Sequence, residues 1–244
     1  MAVYRNALPT REALEKVVGG RDDIYPFFEW LVWDVNKWDD DFQGDTLHGG
    51  YQSTAAGAGS AVAALVTGAN GGQVRLTTGT DNAGRADLSL GRHYRGDQSA
   101  IFAVRMLLDV VSSVKAEVGF TDVISGTDAG AVNVLATPSW TADDAVVFCL
   151  DTNDTANFKF LGVAATVAST AIATARPPTA TVFEWYVVTL NDGAARGFIL
   201  DTAGKQVYDS GWMTGAVTST VLLTPCVFVQ ARTASASKNA DIDR

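Results

Sequence analysis

A chain of 244 residues, 47% hydrophobic and 18% charged, can fill one large core, and none of its apolar runs is long enough to cross a bilayer as a helix. Its formal net charge of −9 argues against a sequence-independent grip on nucleic acid, which needs lysines and arginines facing phosphates. Glutamate occurs only at 12, 15, 29, 117 and 184, so the acidity comes almost wholly from aspartate, a residue of turns and caps.

Residues 1–37 differ in kind from the rest. Pro9-Thr10 before REALEKVV and Gly19-Gly20 after it predict a short helix with Ala13, Leu14, Val17 and Val18 on one side. Ile24, Phe27, Phe28, Leu31, Val32 and Val35 then recur at helical spacing behind a cap at Asp22 or Asp23, with a strand as the alternative. Tyr25, Phe27, Phe28, Trp30 and Trp33 crowd this arm, either as anchors for a protein partner or as cover for one end of a β core. The first residues are charged and lack the apolar centre of a secretion signal, which predicts synthesis in a cytoplasm.

From residue 38 the patterns are those of strands. WDDDFQGDTLHGGYQS reads as a strand pair broken near Gly44-Asp45, and residues 62–67 and 73–78 pair across Asn70-Gly71-Gly72. Residues 86–91 add a short strand. The centre of the pattern is 100–123, read as two long strands joined at Val111-Ser112-Ser113 and paired with each other. Phe102, Val104, Met106 and Leu108 share one face of the first, and Ala116, Val118 and Phe120 one face of the second, leaving Lys115 and Glu117 outward.

Residues 131–136 form a strand or a rim loop, and 145–151 a strand apolar on both faces, partnered by 157–163 across a polar turn. Small residues and Pro177-Pro178 make 166–178 a loop or edge. A three-strand meander covers 181–190, 196–201 and 206–209, and 225–232 is the last strong strand. About a dozen short strands with helical pattern only at the N-terminus predict an all-β, two-sheet antiparallel jelly-roll sandwich over 38–244, preceded by the helical arm 1–37.

No constellation of catalytic residues is legible. A glycosidase of this architecture would carry carboxylates on alternate residues of one strand, but Glu117 and Glu184 lack such neighbours, and Asp39 with Asp41 and Asp241 with Asp243 read as solvated strand ends. The chain is therefore read as non-enzymatic and free of cofactors. For a metal ion the weak candidates are Asp122, Asp151 and Asp154, which read first as turn caps. Cys149 and Cys226 lie in apolar strands and read as buried thiols. Trp140 and Trp212 could stack on sugar rings, whereas Trp185 lies in a strand of core-like residues.

The ordered pieces VGFTDV, DAVVFCLDTNDTANFKFLGVA, FEWYVVTLNDGAARGFILDTAGKQV and LTPCVFVQARTASASKNADID resemble the concanavalin A-like, laminin-G-like jelly rolls of tailed-phage virions. The chain stops soon after the aspartates where such domains continue, so its last strand is expected to be short or frayed. The resemblance implies a virion structural protein made in the host cytoplasm and docked through its arm, most simply onto the major capsid protein, as a homo-oligomer, with a trimer as the family-level expectation. The alternative it leaves open is a carbohydrate- or receptor-binding module of a tail fibre.

Overall fold

The computed structural model describes residues 40–243, apart from 60, 70, 124–129, 170–171, 175–176 and 235. The arm 1–37 and its aromatic residues Tyr25, Phe27, Phe28, Trp30 and Trp33 lie outside the described residues, as does the boundary at 37/38. The described chain is all β. In order it forms β1 (Gln52–Ala56), β2 (Val62–Leu65), β3 (Val74–Thr77), β4 (Arg85–Ser89), β5 (Tyr94–Arg95), β6 (Ile101–Leu108), β7 (Val114–Thr121), β8 (Val132–Val134) and β9 (Ser139–Trp140). There follow β10 (Ala145–Asp151), β11 (Lys159–Ala164), β12 (Val167–Ala168), β13 (Ile172–Ala173), β14 (Glu184–Asn191), β15 (Ala194–Leu200), β16 (Gln206–Asp209), β17 (Leu222–Ala231) and β18 (Asn239–Ile242).

Two antiparallel sheets form the sandwich. Sheet A runs β1-β4-β17-β7-β10-β11-β12, with β13 also beside β11 and β5 beside β17, and sheet B runs β16-β15-β14-β6-β18-β3-β2. The small hairpin β8-β9 pairs with neither. Alternate residues of facing strands meet between the sheets: Val104, Met106, Tyr186 and Val188 from sheet B, and Val118, Phe120, Phe148 and Phe160 from sheet A, all belong to one buried cluster. Phe148 is its aromatic hub, with its ring 4.8 Å from that of Phe160 and 5.9 Å from that of Tyr186.

Four expectations need correction. Strands β6 and β7 do not pair. Each is taken into a different sheet, β6 between β14 and β18 and β7 between β17 and β10, because both apolar faces must point into the same core from opposite sides. The rings of Phe102 and Phe120 meet there, 6.0 Å apart. The region 40–51 holds turns and no strand; Phe42 is buried instead as a single core residue tilted against Tyr51. Strand β18, expected to be short or frayed, is short at four residues but not frayed, being interior to sheet B between β6 and β3. Its Asp241 is buried and bound by the Arg75 guanidinium rather than solvated, with Nε 2.6 Å and Nη2 2.7 Å from the two carboxylate oxygens.

Candidate functional site

The outer face of sheet A is where chemistry-bearing side chains converge. The pleat puts Thr54, Asp87, Phe228, Glu117 and Cys149 in one row across β1, β4, β17, β7 and β10. In the adjacent row stand Arg85, Gln230, Lys115 and Asp151. Three carboxylates therefore share this face, from three strands, and each has a different environment.

Glu117 is fully buried and forms an ion pair with Lys115, also fully buried, at 2.7 Å. Its other contacts come from above the sheet. The backbone N–H groups of Ala131 and Val132 donate to its two oxygens at 2.7 and 3.1 Å, while Lys115 Nζ donates to the Val132 carbonyl. Lys115 also lies 5.4 Å from the centre of the Phe228 ring. The segment supplying those backbone groups carries β8 and β9, and its Ala131, Val132, Leu135 and Ala142 pack on Ala145, Val147, Cys149, Leu161 and Val163 of β10 and β11 as a second apolar cluster. This hairpin covers the β7-β10-β11 half of the face.

Asp151 is buried at the end of β10 and held bidentate by Arg232 of the segment after β17. Asp87, on the β1-β4-β17 half, accepts the Thr54 N–H at 2.8 Å. Burial pushes its carboxyl up to about 6, against the Thr54 hydrogen bond and the nearby Arg85 charge. Burial, followed by the Glu117 charge, raises both the Cys149 and the Cys226 thiol well above the ordinary range. Both thiols are free.

The residues singled out in the sequence do not form one site. Asp122 and Asp151 sit at opposite ends of β10, since Ala145 is opposite Thr121 and Asp151 opposite Lys115. Asp154 is taken by Lys159 at 2.5 Å. Burial raises the Asp122 carboxyl, and Asp143 and Asp144 add to that, while one of its oxygens accepts the Asp144 N–H at 3.3 Å. Among the described residues no group of three or more potential ligands could hold a metal ion. Trp140 is half-buried on the hairpin, packed against the second cluster. Trp212 is half-buried next to Met213, which bridges to Ala195 of β15. Trp185 is half-buried on the outer face of sheet B, opposite Arg105.

What sequence reading missed is the covered ion pair. Lys115 and Glu117 looked like a solvated face, yet the outward positions of the neighbouring strand are Ala145, Val147 and Cys149, which no solvated face would carry. That mismatch between adjacent strands was the available signal for a cover.

No protein-family profile matches the chain, and no curated protein matches it in sequence. Solved structures do match in shape. A protein of unknown function from Shewanella oneidensis MR-1 superposes with a TM-score of 0.55 at 12% identity, covering 83% of each chain. A prokaryotic β-1,3-1,4-glucanase (lichenase) from a mouse hindgut metagenome gives 0.52 at 13% identity, covering 82% of this chain and 93% of its own. The β-glucanase of Bacillus licheniformis gives 0.52 at 11% identity, covering 83% and 93%. The expectation of a non-enzyme is corrected by these glucanases, since this architecture carries glycoside chemistry in them. The reason is physical: carboxylates can be set on one sheet face from separate strands, as Asp87, Glu117 and Asp151 are here, and spacing along one strand does not register that. At these identities the likeness carries the fold alone, an all-β jelly-roll sandwich of two antiparallel sheets.

Proposed function

We propose that the chain is a carbohydrate-binding jelly-roll protein whose ligand is a β-glucan-type polysaccharide. The observation that carries this reading is the superposition of more than four-fifths of the chain on β-glucanases. The side-chain chemistry is compatible with it. A sugar ring offers an apolar C–H face and a rim of hydroxyls, which call for an aromatic or apolar platform beside charged and amide groups. Sheet A offers the half-buried Asp87 and Arg85, with Phe228 and Gln230 buried beside them, and the hairpin adds the half-buried Trp140. Affinity electrophoresis of the full chain in gels cast with mixed-linkage β-glucan is the test, with reducing-end release measured on the same polymer. Retardation that falls about two- to twelvefold on Trp140→Ala is expected, because a stacking ring contributes about 0.5–1.5 kcal/mol. Mobility unaffected by any glucan would sink the reading.

A second reading is favoured by the run Tyr25, Phe27, Phe28, Trp30 and Trp33, which is dense enough to anchor a protein partner. It makes the jelly roll a body displayed on a phage particle, held to the major capsid protein by residues 1–37 and assembled as a homo-oligomer. Particles grown with the arm deleted should then lack the protein, and undiminished incorporation would refute it.

A further inference from the structure

We propose that residues 130–142, with the hairpin β8-β9, are a removable plug over a carbohydrate-binding face of sheet A, latched in place by Lys115 and Glu117. The ligand's identity rests on the carbohydrate reading above; the plug itself does not.

Four observations carry the plug. First, the hairpin belongs to neither sheet, so it can leave without breaking a strand ladder of the sandwich. Second, its apolar contacts form a cluster separate from the main core, so lifting it exposes Val147, Cys149, Leu161 and Val163 while the residues between the sheets stay covered. Third, its ends are pinned together where it leaves β7 and enters β10, with the Asp122 N–H donating to the Asp144 carbonyl at 2.9 Å. Movement of the tip therefore need not propagate into either strand.

The fourth observation concerns what lies beneath. Lys115 and Glu117 both stand on β7 and grip the segment through its backbone, accepting the Ala131 and Val132 N–H groups and donating to the Val132 carbonyl; that grip buries two charges whose desolvation offsets much of their attraction, so apolar residues of like size would hold the segment as well or better. A latch of this kind suits a contact that must both close and open. Gly130 shows how closely it is fitted: it has φ of +83°, and a Cβ there would stand 2.7–2.8 Å from the Glu117 carboxylate atoms. With the plug lifted, the charged pair lies beside the apolar strip of β10 and β11, the combination that a sugar's hydroxyl rim and C–H face require.

Cys149 reports on the plug directly, as a fully buried thiol within the second cluster. The full chain is exposed to an alkylating reagent, and labelling of Cys149 and Cys226 is resolved by peptide mass, while loss of β structure is followed by far-ultraviolet circular dichroism. The expected result is Cys149 labelling at least tenfold faster than unfolding of the sandwich, at a rate insensitive to low urea. Gly130→Ala and Glu117→Gln should each speed it at least tenfold with the β spectrum unchanged. Wild-type labelling that occurs only as the sandwich unfolds would overturn the plug, whether or not either variant folds. Adding mixed-linkage β-glucan oligosaccharide should change the wild-type rate at least twofold. Opening that ignores the sugar would leave the plug standing and defeat its assignment to a carbohydrate face.

Discussion

Asp87 shows how one side chain ties the face of sheet A to solution conditions. Its carboxyl, pushed from 3.8 up to about 6 by burial, still holds a proton in the folded chain over a range where the unfolded chain has lost it. The folded state therefore binds more protons between about pH 4 and pH 6, and stability falls as pH rises through that window and stays lower above it. Asp87→Asn keeps an acceptor for the Thr54 N–H and removes the charge. We expect it to stabilise the protein at pH 7 by about 1–2 kcal/mol, remaining solvent contact holding the gain below the full shift, and to flatten the pH dependence of urea midpoints in that window. Midpoints that keep the wild-type slope would assign the titration elsewhere. The carboxylate's parity in β4 was readable in the sequence; its burial was not, because Phe228 reaches it only through pairing with a strand about 140 residues later, a separation at which spacing rules are silent.

At the scale of elements, β7 is the strand on which both halves of the site depend, since it pairs with β17 on one side and β10 on the other. Gly119 allows that close approach. A Cβ there would collide with the Val146 carbonyl oxygen and stand 2.8 Å from the Val147 Cα, backbone atoms of β10 that have no room to move. Gly119→Ala should therefore destabilise by about 3 kcal/mol, read as a lowered denaturation midpoint, whereas Gly211→Ala, with open space around its Cβ position, tests the general cost of replacing a turn glycine. The alternation along β7 and the apolar run of β10 were legible because each depends on residues within one strand. The hairpin over them was not, because 131–136 has no periodicity that says which surface it covers.

At the scale of the molecule, the sandwich is completed by its most distant pairings. β17 enters sheet A between β4 and β7, and β18 enters sheet B between β6 and β3. A chain ending at Ser237 would lack β18, leaving β2 and β3 with nothing to join them to β6, and Arg75 without its Asp241 partner. We expect that truncation to abolish cooperative unfolding, and a sharp transition in the shortened chain would show that sheet B closes another way. Composition and local alternation were sufficient by themselves to determine an all-β sandwich after the arm, with inward faces at Val104, Met106, Val118 and Phe120, because strand period and apolar content are properties of neighbouring residues. Only the tertiary structure decided that β6 and β7 part into different sheets, that Lys115 and Glu117 are sealed rather than solvated, and that three carboxylates from separate strands lie on one face. Those outcomes depend on which strands become neighbours, and neighbour choice is set by burying every apolar face at once, a condition that no single stretch of sequence expresses.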